Sequence, residues 1–407
     1  MHKRPLLSSF CFALFSLLPL PRVLSGQQVL PVLKAHSVSV DVREGKNFYK
    51  GYWTVSPGLK KDIYYAHRFQ DSNTITFITD SDSLSFRVKP GQSYGFIILL
   101  NGKDSAYTEI STLRETYHKL PGQLITTDTI PFALGHDNRI YITGRINHSE
   151  PLRFFFDNGA DNTIVFPSAL QKGLKVQFDD SVQNNGTGGS ATRQTSNTNH
   201  VELSKLIWEN ELVMYVGKQL GDHADGTIGY DLFEDKIVEI DFDKMILVIH
   251  DRPYRIPDSF ERFDMNLNGG DVPFLATTLV IGKDRLPKLF MFDMGATGCL
   301  FLNQRYSARN DLYSKMKVIG EGSRSGAGDG SLKTQLMLLP ELLIGKSVLS
   351  DLPVNVQLAD AANGSDAEEL GMDVLTRFNI VLDYQNNFIY LKPNHSYRSP
   401  YRQRGSN

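Results

Sequence analysis

Two short segments of the chain each place one aspartate between an apolar run and a glycine turn. Residues 156–160 read Phe-Asp-Asn-Gly-Ala, and residues 292–296 read Phe-Asp-Met-Gly-Ala. Two carboxyl groups held close together cannot both ionise easily, so they share a proton and can serve as a general acid and a general base. The two segments therefore predict a catalytic pair formed by Asp157 and Asp293.

The residues around each aspartate are suited to holding a carboxyl group in a tight loop. Glycine permits a sharp turn that brings backbone N–H groups to the carboxyl, and the small alanine leaves room for the opposite loop. The residues expected to shape the two loops are Asn158, Gly159, Ala160, Met294, Gly295 and Ala296.

A second matching segment follows each aspartate at a similar distance. Residues 228–231 read Ile-Gly-Tyr-Asp, and residues 370–373 read Leu-Gly-Met-Asp. The same elements in the same order predict an internal duplication, with one carboxyl group per copy. Because glycine allows close backbone contact, Gly229 and Gly371 are expected to pass beside the aspartate loops and close each lobe.

Two glycine-rich polar stretches, residues 184–190 and 320–328, lie at matched positions after the aspartates. Such stretches suit a mobile flap that closes over an extended substrate, and a plain surface loop is the alternative for either one alone. The matched positions favour flaps. The candidate flap residues are Gly186, Thr187, Gly188, Gly326, Ala327 and Gly328.

These features resemble the aspartic proteases of the retropepsin and pepsin type, and most closely the bacterial aspartyl protease domains with an Asp-Thr-Gly-Ala loop. The resemblance covers residues 130–394 in two copies. It implies an all-β fold with two pseudo-symmetric β-barrel lobes in one chain. It also implies a peptide or protein substrate, hydrolysed by water activated between Asp157 and Asp293 without a cofactor or a metal.

The chain departs from this family at the residue after each aspartate. The family has Thr or Ser there, whose hydroxyl bonds to the opposite loop, whereas this chain has Asn158 and Met294. An asparagine can still donate and accept hydrogen bonds, but a thioether is only a weak acceptor. Losing one such bond costs on the order of 1 kcal/mol. The alternative to an active endopeptidase is therefore a catalytically weak or inactive relative that binds extended peptides.

The chain of 407 residues is long enough for several domains. The predicted division is a signal peptide at 1–26, an N-terminal β-rich accessory domain at 27–120, a first lobe at 124–253, a second lobe at 262–394 and a C-terminal tail at 395–407. Alternating apolar residues predict strands throughout, so the predicted fold class is all-β: two acid-protease-like barrels plus the small N-terminal domain.

The N-terminus has the pattern of an export signal. Residues 2–4 are basic or histidine, residues 6–20 are mostly apolar, and small residues stand near position 25. This pattern predicts a cleavable signal peptide and a secreted or periplasmic protein, with an uncleaved anchor as the alternative. No other segment approaches a membrane span, so no span is expected in the mature chain.

Net charge, cysteine and histidine content, and the missing catalytic signatures exclude several classes of partner and of active site. The net charge of −2 indicates no nucleic-acid surface, and the duplication predicts a monomer that contains an intramolecular pseudo-dimer. Cys299, alone in the predicted mature chain, is expected to be a small buried apolar residue. The ten histidines are scattered, and no serine-nucleophile, phosphate-loop or zinc-protease signature occurs. Four further aspartates are expected to be structural, as turn residues (Asp241, Asp383) or helix caps (Asp231, Asp373).

Overall fold

The structure of the protein is a computed structural model. It describes residues 30–401 with gaps at 46, 56, 58–61, 67–71, 90, 113–126, 234–235, 268–271 and 359–367. The predicted signal peptide, residues 1–26, and residues 402–407 of the predicted tail lie outside the described part of the chain.

The N-terminal region forms two four-stranded sheets around their own apolar cluster. Its strands are β1 Val32–Ala35, β2 Ser39–Glu44, β3 Asn47–Thr54, β4 Asp62–Tyr65, β5 Asn73–Ile78, β6 Ser83–Val88, β7 Ser93–Leu100 and β8 Asp104–Ser111. The sheet orders are β1-β7-β8-β4 and β3-β2-β5-β6. The turn from β7 to β8 uses Asn101 and Gly102, both with positive φ, as tight hairpins require.

The next part of the chain forms a closed barrel. Its elements are β9 Thr127–Pro131, β10 Ala133–Leu134, β11 Ile140–Ile146, β12 Leu152–Phe156, β13 Thr163–Val165, α1 Pro167–Gln171, β14 Asp180–Gly186, β15 Gly189–Leu203, β16 Leu206–Tyr215, β17 Gly226–Ile228, a 3-10 turn Asp231–Phe233, β18 Ile237–Asp241 and β19 Ile246–His250. The sheet order is β10-β11-β12-β17-β13-β16-β15-β14, and pairing of β11 with β15 closes the barrel.

The following part repeats this arrangement. Its elements are β20 Glu261–Asp264, β21 Phe274–Ile281, β22 Asp284–Phe292, β23 Leu300–Leu302, α2 Gln304–Arg309, α3 Leu312–Lys315, β24 Lys317–Ser325, β25 Ser331–Ile344, β26 Ser347–Gln357, β27 Glu369–Leu370, α4 Met372–Leu375, β28 Phe378–Asp383 and β29 Phe388–Pro393. The sheet order is β21-β22-β27-β23-β26-β25-β24. Pairing of β21 with β25 closes this barrel, as pairing of β11 with β15 closes the first one.

A six-stranded sheet, ordered β20-β29-β28-β18-β19-β9, joins the two barrels. At its centre β18 and β28 pair antiparallel, with Val238 opposite Leu382. A continuous buried apolar cluster runs through both barrels and this sheet. The shared core holds the two lobes in one orientation, and the predicted all-β fold class is confirmed.

Several smaller predictions can be compared with the structure. Asp241 and Asp383 are turn residues as expected, since their carboxylates accept the N–H groups of Lys244 and Asn386. The prediction that Asp373 caps a helix is wrong: Gly371 is the N-cap of α4, and the Asp373 carboxylate instead accepts a hydrogen bond from Asn138.

Two predictions concern burial and membranes. Cys299 is buried, as expected. Among the described residues, no helix has the length and apolar character needed to cross a bilayer.

Candidate active site

The first barrel places Asp157 directly after β12. This strand pairs in parallel with β17, and the Asp157 N–H donates to the Ile228 carbonyl at 3.0 Å. The chain then passes so close to the aspartate loop that a methyl group added at Gly229 would lie 2.7 Å from the Ala160 carbonyl oxygen. Only glycine fits this crossing, which explains the Ile-Gly pattern.

The second barrel repeats this geometry around Asp293. β22 pairs in parallel with β27, and the Asp293 N–H donates to the Leu370 carbonyl at 3.1 Å. A methyl group added at Gly371 would lie 2.6 Å from the Gly298 carbonyl oxygen. Both carboxyl groups therefore emerge from core strands that neighbouring strands hold rigidly.

The two aspartate loops face each other across the lobe boundary. A methyl group added at Gly159 would lie 3.1 Å from Oδ1 of Asp157 and 3.1 Å from Oδ1 of Asp293. One added at Gly295 would lie 2.2 Å from the carboxyl carbon of Asp157. The two carboxyl groups thus share one small space, with a glycine from each loop beside it.

Backbone N–H groups orient each carboxyl group. Gly159 donates to Oδ1 of Asp157 at 2.9 Å, whereas Gly295 and Ala296 both donate to Oδ1 of Asp293, at 2.8 and 2.9 Å. Hydrogen bonds to a carboxylate favour its ionised form. Asp293 therefore has the stronger support for a negative charge.

Asn158 contacts the aspartate loop of the opposite lobe. Its Nδ2 donates to the Phe292 carbonyl at 2.7 Å, and its Oδ1 accepts from the Met294 N–H at 2.8 Å. The side chain is fully buried. One asparagine amide thus satisfies both backbone groups of the opposite loop.

Met294 takes no part in this exchange through its side chain. It is fully buried in the apolar cluster that joins the barrels. The Met294 backbone N–H donates to Asn158, so this cross-lobe bond does not depend on the thioether. Apolar packing on one side and an amide bridge on the other hold the two loops together.

Burial and mutual repulsion raise the pKa values of the pair. Burial, followed by the nearby Asp293 charge, raises the pKa of Asp157 to about 7. Burial also raises the pKa of Asp293, but the Arg324 guanidinium and two backbone N–H groups oppose this rise. Such a pair retains one shared proton well above the usual range of a carboxylic acid.

Three charged residues at the cleft are absent from the sequence-based prediction. Glu369 is buried, its pKa is raised to about 7 by burial, and it forms an ion pair with Arg324. Arg139 donates from Nε to the Gly295 carbonyl at 2.6 Å and also binds Asp137. Glu369 stands two residues before Gly371, where the first lobe has Thr227 two residues before Gly229. The signal available in the sequence was therefore an acidic residue at a matched position of the repeat.

The predicted flap residues lie at the tips of two hairpins, β14–β15 and β24–β25. The tips bind each other: Gly328 N–H donates to the Thr187 carbonyl at 3.1 Å, and Gly330 N–H donates to the Gly188 carbonyl at 2.9 Å. Arg193 of the first hairpin adds a bond of 2.6 Å to Asp329 of the second.

A cavity of about 950 Å³ lies between the aspartate loops and the hairpin tips. Its lining includes groups from both lobes: Asp157, Asp293, Gly186, Thr187, Gly326 and Ala327. Both predicted flaps and both predicted aspartate loops therefore border one space.

Gly295→Ala tests this packing. The added methyl group would overlap the Asp157 carboxyl, and a displacement of about 1 Å can cost roughly 100-fold in rate. We expect a loss of that size in kcat/KM for the hydrolysis that the sequence resemblance implies. Gly217→Ala is the control, since its nearest neighbouring atom would be 3.7 Å away in Tyr215. Unchanged activity in Gly295→Ala would contradict the close approach of the loops.

Comparison with known proteins gives a match to one family model and a likeness to solved structures. A family model described as aspartyl protease matches residues 142–232, which include the Asp157 loop, the first hairpin tip and Gly229. No curated protein sequence matches the chain. Among solved structures, an aspartic proteinase from Irpex lacteus covers 68% of this chain and 100% of its own, at 12% identity and a TM-score of 0.48.

The sequence match and the geometry concern the same residues. The matched segment carries one carboxyl group of the pair, and the second lobe supplies the other from an equivalent loop. The chain is therefore similar to the aspartyl proteases, through a family match over residues 142–232 and two aspartate loops that share one cleft.

Proposed function

We propose that the protein is an aspartic endopeptidase that hydrolyses peptide bonds with water activated between Asp157 and Asp293. The observation that carries this proposal is the approach of two buried carboxyl groups at the floor of a cavity covered by two hairpins. Paired carboxyl groups with raised pKa values supply both an acid and a base near neutral pH. The mechanism needs neither a cofactor nor a metal.

We assign the base to Asp293 and the acid to Asp157 in the free enzyme. Asp293 accepts two backbone N–H bonds and lies near Arg324, so its carboxylate is the better stabilised of the two. Asp157 accepts one such bond from its own loop, and its pKa is raised to about 7. The shared proton therefore resides mainly on Asp157.

The reaction follows from this assignment. Asp293 takes a proton from the water as the water oxygen attacks the peptide carbonyl. Asp157 donates a hydrogen bond to the carbonyl oxygen and stabilises the developing charge. Asp157 passes its proton to this oxygen as the tetrahedral intermediate forms. When the intermediate collapses, Asp293 gives the proton that it took from water to the leaving nitrogen, and the C–N bond breaks. Asp157 takes a proton back from a hydroxyl group of the intermediate, so the pair regains its one shared proton.

The substrate of this proposal is an extended peptide. The cavity of about 950 Å³ is lined by residues of both lobes and by the tips of both hairpins, which include Gly186 and Gly326. Extended peptides bind the exposed edges of strands, such as those of the hairpins, through main-chain hydrogen bonds. Because the hairpin tips bind each other, they must separate to admit a substrate.

A peptide-library assay across pH 3 to 8 tests the proposal. The wild-type protein is expected to cleave internal peptide bonds, and the double variant Asp157→Asn, Asp293→Asn is expected to lack this activity. Absence of cleavage by the wild-type protein, with retained binding of extended peptides, would favour the inactive peptide-binding relative. Cleavage that survives in the double variant would exclude this pair of aspartates.

Arg324 and Glu369 are expected to shift the pH profile in opposite directions. Arg324 lowers the pKa values of Asp293 and Glu369, so Arg324→Met should raise them and move the alkaline limb of kcat/KM to higher pH. Glu369→Gln removes a negative charge from the cleft and leaves the Arg324 charge to act on the aspartates alone. The pKa values of the aspartates should therefore fall, and the alkaline limb of kcat/KM should move to lower pH.

The pH dependence of kcat/KM measures both shifts, with Lys333→Met as the control. Lys333 lies on the same hairpin as Arg324, but its side chain is exposed. Shifts of the same sign in the Arg324 and Glu369 variants would contradict the electrostatic assignment.

We further propose that the mature protein acts outside the cytoplasm, as a monomer with both lobes in one chain. The basic start and the apolar stretch at 6–20 support export. The six-stranded sheet shared by the lobes supports a monomer, because the chain supplies both aspartates itself. Mass analysis of the exported protein and its size in solution test these two points.

A further inference from the structure

A cluster of metal-binding side chains lies on the first lobe, away from the aspartates. It consists of His148, His200 and Glu202, which each offer a ligand atom within 4.8 Å of the others. His148 and His200 are far apart in sequence and meet only because β11 pairs with β15 to close the barrel. No step of the proposed peptide hydrolysis uses these residues.

The strand β15 places two of the three ligands on one face. His200 and Glu202 are two residues apart, so their side chains project from the same side of the strand. Val201 between them points into the core and is fully buried. The side chains of His200 and Glu202 keep 16% and 27% exposure, so an ion can reach them from solvent.

The third ligand stands on a turn that is fastened to the same strand. Asn147 and His148 both have positive φ and link β11 to β12. The Asn147 N–H donates to the His200 carbonyl at 2.8 Å, and Asn147 Oδ1 accepts from the His200 N–H at 2.9 Å. A further bond of 2.9 Å joins Asn147 Nδ2 to Asn199 Oδ1. The turn therefore holds the His148 ring beside His200.

The distances within the cluster are close to those around a zinc ion. Oε1 of Glu202 lies 3.1 Å from Nδ1 of His148 and 2.9 Å from Nε2 of His200. Tetrahedral zinc with ligands at about 2.0 to 2.1 Å places neighbouring ligand atoms about 3.3 Å apart. Small side-chain rotations would make room for the ion, and water would occupy the fourth position.

A second carboxylate orients the His200 ring. Oε1 of Glu209 on β16 lies 2.7 Å from Nδ1 of His200, on the opposite side of the ring from Glu202. A carboxylate at this position keeps the proton on Nδ1 and leaves the lone pair of Nε2 facing Glu202. Histidine ligands of zinc commonly have such a carboxylate partner, which fixes the tautomer and makes the ligand more basic.

We propose that His148, His200 and Glu202 bind one divalent transition-metal ion of the zinc type, with Glu209 as the carboxylate that orients His200. Two imidazoles and one carboxylate suit zinc, whereas Mg²⁺ and Ca²⁺ prefer oxygen ligands alone. The ion ties the β11–β12 turn to the β15–β16 hairpin. This turn lies at the far end of β12 from Asp157, about 17 Å of strand away, so the ion acts on stability rather than on the reaction.

Zinc binding to the tag-free full chain tests the proposal directly. After dialysis against a chelator, the wild-type protein is expected to bind one equivalent of Zn²⁺ and none of Mg²⁺, as measured by calorimetry and metal analysis. His148→Gly and His200→Ala should weaken zinc binding at least tenfold. Gly is chosen at position 148 because it accepts the positive φ there without strain.

Two further variants test the orienting carboxylate and the specificity of the site: Glu209→Ala and, as the control, His36→Ala. Loss of the orienting carboxylate typically costs roughly 10- to 100-fold in metal affinity, and we expect that loss in Glu209→Ala. His36 is an exposed histidine in the N-terminal region, and its replacement should leave binding unchanged. Zinc should also raise Tm in the wild-type protein but not in His200→Ala.

The alternative state of the cluster contains no metal. A protonated His200 bonded to Glu202 and Glu209 would satisfy the same contacts as an ion pair. No zinc uptake by the wild-type protein at tenfold molar excess would overturn the proposal. Equal zinc affinity in the wild-type protein and in both histidine variants would overturn it as well.

Discussion

Asp157→Asn and Asp293→Asn are each expected to lower kcat/KM for peptide cleavage by roughly 10²- to 10⁴-fold, the range for removal of a general acid or base. Either change breaks the shared-proton pair, because an amide acts neither as an acid nor as a base between about pH 3 and pH 8. Asparagine keeps the shape of the side chain and can still accept the loop N–H bonds. The loss should therefore appear mainly in kcat.

Asp157→Asn is also expected to be more stable than the wild-type protein at pH 7. The pKa of Asp157 is raised from its ordinary value of 3.8 to about 7, so the unfolded state loses its proton more easily than the folded state. The contribution of Asp157 to the free energy of unfolding therefore falls as the pH rises from about 4 to 7. An amide does not titrate, so the gain in Tm of Asp157→Asn should be largest at pH 7 and disappear near pH 4.

Asp258→Asn is the matched control for both measurements. Its carboxylate is 91% exposed and lies outside the cleft, so neither kcat/KM nor the pH dependence of Tm should change. A wild-type rate of cleavage in either cleft variant would remove that aspartate from the mechanism. A Tm below that of the wild-type protein at pH 7 would mean that the carboxyl stabilises the fold.

Asn158→Ala is expected to lower both stability and activity. The change leaves the Phe292 carbonyl and the Met294 N–H without their partner in a fully buried position. Each backbone group left without a partner costs about 1 to 3 kcal/mol, so we expect the two together to lower the free energy of unfolding by about 2 to 6 kcal/mol. Activity should fall at least tenfold because the two aspartate loops are no longer held in register.

Urea unfolding and kcat/KM measure these two effects, and two further variants serve as comparisons. Asn158→Thr retains a donor and an acceptor and should lose less than Asn158→Ala. Met294→Thr places a hydroxyl in the apolar cluster and should give no gain in cleavage. Wild-type stability and activity in Asn158→Ala would show that the amide bridge does not hold the lobes together.

Much of the candidate site could be predicted because its determinants are local. Gly229 and Gly371 follow apolar residues in both halves, and a glycine crossing leaves a signature in sequence. The aspartates follow core strands directly, so their exit from the barrel was visible from the apolar runs before them. The two glycine-rich stretches likewise mark hairpin tips, since turns need glycine or small polar residues.

Other parts of the site could not be predicted because their partners are distant in sequence. Asn158 and Phe292 are 134 residues apart, so the sequence could not show that the Asn158 amide bonds to the backbone of the opposite loop. Arg324 and Glu369 meet only after a hairpin folds over the cleft. The helix-cap prediction for Asp373 failed for a similar reason, since a side chain from the first lobe binds its carboxylate.

The sequence by itself determined that this chain is a duplicated β protein with one aspartate loop per half, because strand periodicity, glycine turns and repeats are local patterns. Only the tertiary structure decided which polar groups bond across the lobes and that scattered histidines meet on the first barrel. The physical reason is that barrel closure and lobe docking create contacts between residues that no local spacing relates, and burial then sets their charges and partners.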